Sequence, residues 1–170
     1  DLAADVPCVP TELLDDATLV AGLGSAFGRC GEVVVKPRTG AGGVGVVLAS
    51  SVRDERLEGL TAAPWVVQPV VESVRTTGET SVHVFAGRAV SQVDKVVAGG
   101  EIRVHEMYGG SSRVVDLCAE QAALAEAADP CAMKAENSSA PRAIRIIAGM
   151  EANRAVKWRP SMAGSLAQAP

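Results

Sequence analysis

The sequence predicts an α+β fold, and three observations carry that prediction. Short Val-rich runs come in pairs around glycine turns, the pattern of antiparallel hairpins. Two helical stretches flank them, one ahead of the first hairpin and an alanine-rich one ending at Ala128. The 170 residues are 48% hydrophobic but only 3% aromatic, so the core must be built from Val, Ala and Leu in one domain or one and a part. Such small side chains each bury little area, at about 25 cal/mol per Å², and modest stability is expected.

Taken in order, Asp1 to Pro10 reads as an extended lead-in, because Pro7 and Pro10 exclude a helix interior. Thr11 is the expected N-cap of a first helix, with Glu12, Asp15 and Asp16 placing negative charge in its first turns. Leu13, Leu14, Ala17, Ala21 and Leu23 supply its apolar face, and it ends near Gly28. Glu32 to Ala49, EVVVKPRTGAGGVGVVLA, then reads as strand, flexible loop, strand. Ser51 to Leu60 carries alternating charges and reads as a short helix with Gly59 near its end. Pro64 opens the apolar run Trp65 to Val71, interrupted by Gln68-Pro69. A polar amide in such a run needs a partner, so Gln68 either caps a neighbouring backbone or faces a ligand.

Gly78 to Val97 reads as a two-stranded unit turning at Ala86-Gly87-Arg88. Glu101 to Tyr108 restarts the strand pattern, and Gly109-Gly110-Ser111-Ser112 is the following loop. Asp116 is the expected cap of the alanine-rich helix. Beyond Pro130 the chain turns richer in Arg, Lys, Ser and Ala, with a short apolar segment near Ile144 to Met150. No internal repeat is found.

The glycine-dense loop is the stretch most suggestive of chemistry. Gly40, Gly42, Gly43 and Gly45 allow backbone N–H groups to approach a polyanion closely, and Lys36 adds a positive charge at the end of the first strand. Gly40, Gly42 and Gly45 match G-x-G-x-x-G, but Val46, Val47 and Leu48 continue as a strand, and Leu60 stands where a dinucleotide fold needs its acid. The kinase form needs its lysine after the loop, then H-R-D and D-F-G, whereas Lys36 precedes the loop and neither motif exists. A Walker A loop needs G-K-[ST], which is absent. The alternative is a glycine-rich hairpin that binds nothing.

A net charge of −4 gives no global attraction to nucleic acid or an anionic membrane, so any anion site must be local. Cys8, Cys30, Cys118 and Cys131 show no metal spacing and are read as thiols of a reducing cytoplasm. No apolar run approaches a membrane span. Asn137-Ser138-Ser139 is formally a glycosylation sequon, and the absence of a methionine at Asp1 points to an upstream portion. Ser81 has no paired acid for a hydrolase triad, and His83 and His105 read as ordinary strand residues.

Several motifs in one order go further than any single loop. VVVKPRTGAGGVGVV, VVQPVVE, TGETSVHVFAGRAVSQVDKV, GEIRVHEMYGG and a helix near AEQAALAEAA together resemble the ATP-grasp enzymes, closest to glutathione-synthetase-like and ribosomal-protein-modification-like members. The resemblance covers roughly Val6 to Ala128. It implies a glycine-rich hairpin subdomain over 1–66, a second antiparallel-sheet subdomain, partial, over 67–128, and a divergent tail over 129–170 open to disorder. It further implies ATP and Mg²⁺ as cofactors, small carboxylate and amine substrates, and ADP-forming ligation through an acyl phosphate. Lys36 is similar to the strand lysine that contacts the nucleotide, and Gly40 to Gly45 to the phosphate-covering loop. Gln68 and the backbone around Val70 fall where adenine is held, and Glu79 where a ribose-binding carboxylate lies, with Glu72 a second candidate. Lys95 and Arg103 are similar in position to the basic residues that meet the γ-phosphate and the acyl phosphate. All three basic residues fall in segments read as strands, and phosphoryl transfer asks chiefly for such alignment and charge neutralisation.

The tail departs from the family. Members supply Mg²⁺ from a strand aspartate and an E-x-E or E-x-N pair, because a hard cation wants carboxylate oxygens. Here Glu136 and Asn137 are adjacent, and Glu151 and Asn153 have the spacing without an upstream aspartate, so the metal ligands are unknown. The C-terminal part is expected to be incomplete, frame-disrupted or replaced. Two other classes compete with a ligase: a non-catalytic module that binds only a nucleotide or a protein partner, and a small β-rich structural domain with a basic tail.

Overall fold

The computed structural model describes residues 8–58, 60, 63–129 and 142–147. Two four-stranded sheets, each with its own apolar core, are joined by a short helical connection. The α+β reading holds, and several of the local expectations need correction.

The first sheet has the order β1-β4-β2-β3, from β1 (Glu12–Leu14), β2 (Val33–Pro37), β3 (Val47–Ala49) and β4 (Trp65–Pro69). All its neighbours are antiparallel. The helix α1 runs Leu19–Cys30, so Thr11 does not cap it, and Glu12 to Leu14 pair with β4 instead. The reason is local chemistry at Asp15 and Thr18. The Thr18 amide donates to Asp15 Oδ1 at 2.8 Å while the Asp15 amide donates to Thr18 Oγ1 at 3.0 Å, a reciprocal arrangement that turns the chain before the helix can begin. The Thr18 hydroxyl, donating to Asp15 Oδ1 at 2.6 Å, and with it the Thr18 amide hold the Asp15 carboxyl below its usual range. Leu14 is thereby freed to join Leu23, Ala26, Val33, Val35, Trp65 and Val67 in the core between α1 and the sheet. Gly22 makes room there, since a Cβ would lie 2.5 Å from Leu14 Cδ2 and would force that side chain to shift. Ser51 to Leu60 gives only a 3₁₀ turn, Glu55–Leu57, capped by the Asp54 side chain.

The helix α2 (Glu72–Thr76), not foreseen from the sequence, leads into the second sheet. That sheet has the order β7-β6-β5-β8, from β5 (Glu79–Phe85), β6 (Arg88–Val96), β7 (Ser111–Val115) and β8 (Arg142–Ile147). The β5–β6 hairpin turns through Ala86 and Gly87, both at positive φ, as a two-residue turn demands. The helix α3 (Ala119–Ala128) lays Ala125 against Val82 and Val84, and Glu126 accepts a hydrogen bond from the Ala89 amide at the irregularity in the β5–β6 register. Asp116 does not cap α3; Cys118 occupies that position, its amide donating to Gln92 Oε1 at 2.9 Å. Ser111 and Ser112 open β7 rather than a loop, while Glu101 to Val104 form no strand. The apolar segment of the tail overlaps β8, which pairs antiparallel with β5.

Candidate functional site

A cavity of about 590 Å³ lies between the two sheets, within the usual size of a small-ligand pocket at a junction of structural units. Strand alternation decides which side chains reach it. On β2 and β4, Val33, Val35, Trp65 and Val67 turn to α1 and are buried, so Val34, Lys36, Val66 and Gln68 take the opposite face. On β5 and β6, Val82 and Val84 turn to α3, which sends Glu79 and Lys95 toward the cavity.

Of the residues expected from the sequence, Lys36, Gly40, Gly42, Gly43, Gln68, Val70, Glu79, Lys95 and Arg103 all line this one cavity. Gly45 does not; it sits at φ +74° and turns the loop back against Pro37. Glu72 also lies outside the wall, its carboxylate 2.7 Å from Arg75 Nη1. Arg75 reaches Glu32 at 2.8 Å as well, tying α2 to the start of β2. Glu151 and Asn153 lie outside the described residues.

The loop between β2 and β3 arches over the cavity, as a hairpin and not as the start of a helix. Its tip meets the far side through Gly43, where φ is +77° and a Cβ would lie 3.0 Å from Tyr108 Cε2 and 3.2 Å from Arg103 Cδ. The positive φ favours glycine there, and the Tyr108 and Arg103 side chains would have to give way to a Cβ.

Two cations enter from β6 and from the segment between β6 and β7. Lys95 stands directly across from Glu79 in the β5–β6 register, with Nζ 3.7 Å from Oε1. Arg103 lies on no strand, contrary to expectation. The Glu101 carboxylate bonds its guanidinium at 2.5 Å and accepts the backbone amides of Ile102 and Arg103. The Tyr108 ring lies 3.5 Å below the guanidinium carbon, a cation–π contact. The Arg103 hydrogen bond, with help from the two amides and against the cost of burial, brings the Glu101 carboxyl down to about 2. The same partner pushes the Arg103 guanidinium up.

Sequence reasoning missed Glu101 and Tyr108. The signal available was the Glu-x-Arg spacing ahead of an aromatic residue, which a strand reading hides because strand neighbours at that spacing share a face without bonding each other's backbone. His105 is not a strand residue either; it caps the turn Glu106–Tyr108, accepting the Met107 amide at 3.1 Å, and lies against Gly42. His83 does sit in β5, with Nδ1 3.2 Å from Ser91 Oγ.

The cavity suits a polyanion that also carries an apolar group. Val9, Val34, Val71 and Val74 line it together with Lys36, Lys95 and Arg103, under a glycine loop able to present backbone amides. A divalent cation does not fit the described residues. No group of three or more His, Cys, Asp or Glu is placed among them to hold a metal.

Solved structures with this architecture were found. D-cycloserine synthetase DcsG matches at 28% identity with a TM-score of 0.56, over 75% of this chain and 47% of that one. The ATP-grasp ligase PsnB, complexed with minimal precursor, Mg and ADP, matches at 16% identity with a TM-score of 0.58, over 88% of this chain and 43% of that one. PsnB complexed with minimal precursor alone matches at 18% identity with a TM-score of 0.56, over 88% and 46%. This chain therefore spans less than half the length of these structures. No family model matches the chain, and no curated relative does. No helix among the described residues is long and apolar enough to cross a membrane. The motif order, the paired antiparallel sheets and these matches agree: the chain belongs to the ATP-grasp superfamily.

Proposed function

We propose that the cavity between the two sheets binds ATP and serves ADP-forming ligation of a carboxylate to an amine. The observation that carries this reading is the convergence of residues from both sheets and the glycine loop on one cavity. In this reading Gln68 and the Val70 backbone take the adenine and Glu79 a ribose hydroxyl. Lys36 and the loop amides take the phosphates, while Lys95 and Arg103 neutralise the charge that develops on the γ-phosphoryl group and the acyl phosphate. Such neutralisation, with alignment, is most of what phosphoryl transfer asks of a protein.

The chemistry balances without a protein nucleophile. A substrate carboxylate oxygen attacks the γ-phosphorus, and the bond to the β,γ-bridging oxygen breaks, releasing ADP. An amine nitrogen then attacks the acyl carbon, the carbon–oxygen bond to phosphate breaks, and the amine proton passes to solvent. The stacked and ion-paired Arg103 is preorganised for the charge on that phosphate, so little reorganisation is needed at the moment of reaction.

Magnesium, which the resemblance implies, would supply further neutralisation of phosphate charge when bound, but the described residues do not supply its ligands and no step above depends on it. That observation favours a second reading, a nucleotide-binding module without turnover.

The two readings part in one assay. Folded protein is given Mg²⁺, ATP and panels of carboxylates and amines, and ADP release is followed alongside the melting temperature. ATP at 100 times Kd should stabilise the chain by about 2.7 kcal/mol. A melting shift without ADP release selects the module. ADP release that Glu151→Ala abolishes selects the ligase, with its metal site in the tail. No shift in a chain that unfolds cooperatively removes both.

A further inference from the structure

The geometry points to Thr11 as a positioning residue that sets which nucleobase the cavity accepts, an inference that rests on the nucleotide reading above. Glu12 pairs with Val67, which brings Thr11 alongside Gln68 at the edge of the first sheet. Thr11 Oγ1 donates to the Val9 carbonyl at 2.8 Å, and Gln68 Nε2 lies 2.8 Å from that same Oγ1.

A hydroxyl carries one hydrogen. With it committed to Val9, Oγ1 can only accept, so the Gln68 amide must offer its NH₂ to Thr11. The orientation of the amide follows from this chain of bonds. Oε1, which receives no hydrogen bond from the described residues, is the amide atom left for a ligand.

Val9 and Gln68 both line the cavity, and Val34, opposite Gln68 in the β2–β4 register, gives an apolar wall beside the amide. A lone acceptor covered by a base selects a donor, because an opposed acceptor would leave two desolvated lone pairs facing each other. A base with an exocyclic amino group, a 6-aminopurine, meets this requirement. A 6-oxopurine presents an oxygen at that position and is disfavoured. Thr11 itself touches no base. Its part is to keep the amide from turning over.

ATP and ITP differ at this position, and titration calorimetry of the folded chain with each tests the inference. Wild type should bind ATP about tenfold more tightly than ITP, the worth of one buried hydrogen bond. Thr11→Val keeps the shape but frees the amide to present either atom, so the ratio should fall toward one, while affinity for inorganic tripolyphosphate stays unchanged. Thr11→Ser, which restores the hydroxyl, should restore the ratio. A Thr11→Val protein that melts cooperatively and keeps the wild-type ratio overturns the inference and leaves the nucleotide reading standing. Equal binding of both nucleotides by wild type does the same. Binding of neither by wild type removes the nucleotide reading and this inference with it.

Discussion

Lys95 and Arg103 reach the same cavity from the same half of the molecule, and they are held there in unlike ways. Lys95 is placed by strand register: its partner Glu79 is its cross-strand neighbour, and the ladder of β5 and β6 fixes both. Arg103 is placed by side chains alone, between the Glu101 carboxylate and the Tyr108 ring on a segment with no strand pairing. A backbone ladder spreads its constraint over many hydrogen bonds, so losing one side chain leaves the geometry standing. A side-chain clamp concentrates the constraint in few contacts, and each of them matters more.

Glycine substitutions break the comparison most sharply. In the ladder, a Cβ at Gly78 would lie 2.0 Å from the Lys95 carbonyl oxygen, at φ +91°, against backbone that cannot yield. Gly78→Ala should therefore cost about 3 kcal/mol or more, read from the urea midpoint at unchanged m-value. A cost below about 1 kcal/mol would mean that the ladder is softer than its register suggests.

Next in size is Glu101→Gln. The folded Glu101 carboxyl sits near 2, below its ordinary 4.5, so its contribution is complete above pH 4.5 and fades as the pH falls toward 2. Partial exposure of both partners limits that contribution to about 1–3 kcal/mol. Wild type and Glu101→Gln should differ by this amount at pH 7 and converge near pH 2. A gap independent of pH would assign the loss to packing.

Gly43→Ala should cost somewhat less, about 1–2 kcal/mol, because its neighbours are side-chain atoms of Tyr108 and Arg103 that can shift, leaving mainly the cost of φ +77°. Its fluorescence partner is convenient: Tyr108 is the one tyrosine of the chain, and a changed tyrosine signal would report the shift. Smallest is Lys95→Gln, which removes an ion pair at 3.7 Å and should cost about 0–1 kcal/mol in thermal denaturation. A larger loss for Lys95→Gln than for Glu101→Gln would invert the comparison.

The same contrast explains what could be read from the sequence. The β2–β3 and β5–β6 hairpins were legible because Val alternation and glycine turns act over neighbouring residues, and register then carried Lys36, Glu79 and Lys95 to the cavity. Leu13 and Leu14 fit a helical stripe, while the pairing of residues 12–14 with β4 depends on residues more than fifty positions away. Glu101 to Tyr108 shows a strand pattern in the sequence because the carboxylate closing over its own backbone leaves no periodic trace. Glu101, Tyr108 and the Thr11–Gln68 contact depend on side-chain geometry, which pattern alone does not carry.

The central claim is that this cavity binds a nucleotide through residues of both sheets, and metal-free titration calorimetry with ATP tests it most directly. Wild type should give saturable binding at one site with only weak dependence on added Mg²⁺, and Lys36→Ala should weaken it about tenfold or more in a protein that still melts cooperatively. Saturable binding that Lys36→Ala leaves untouched, or no binding by a chain that melts cooperatively, would contradict the account.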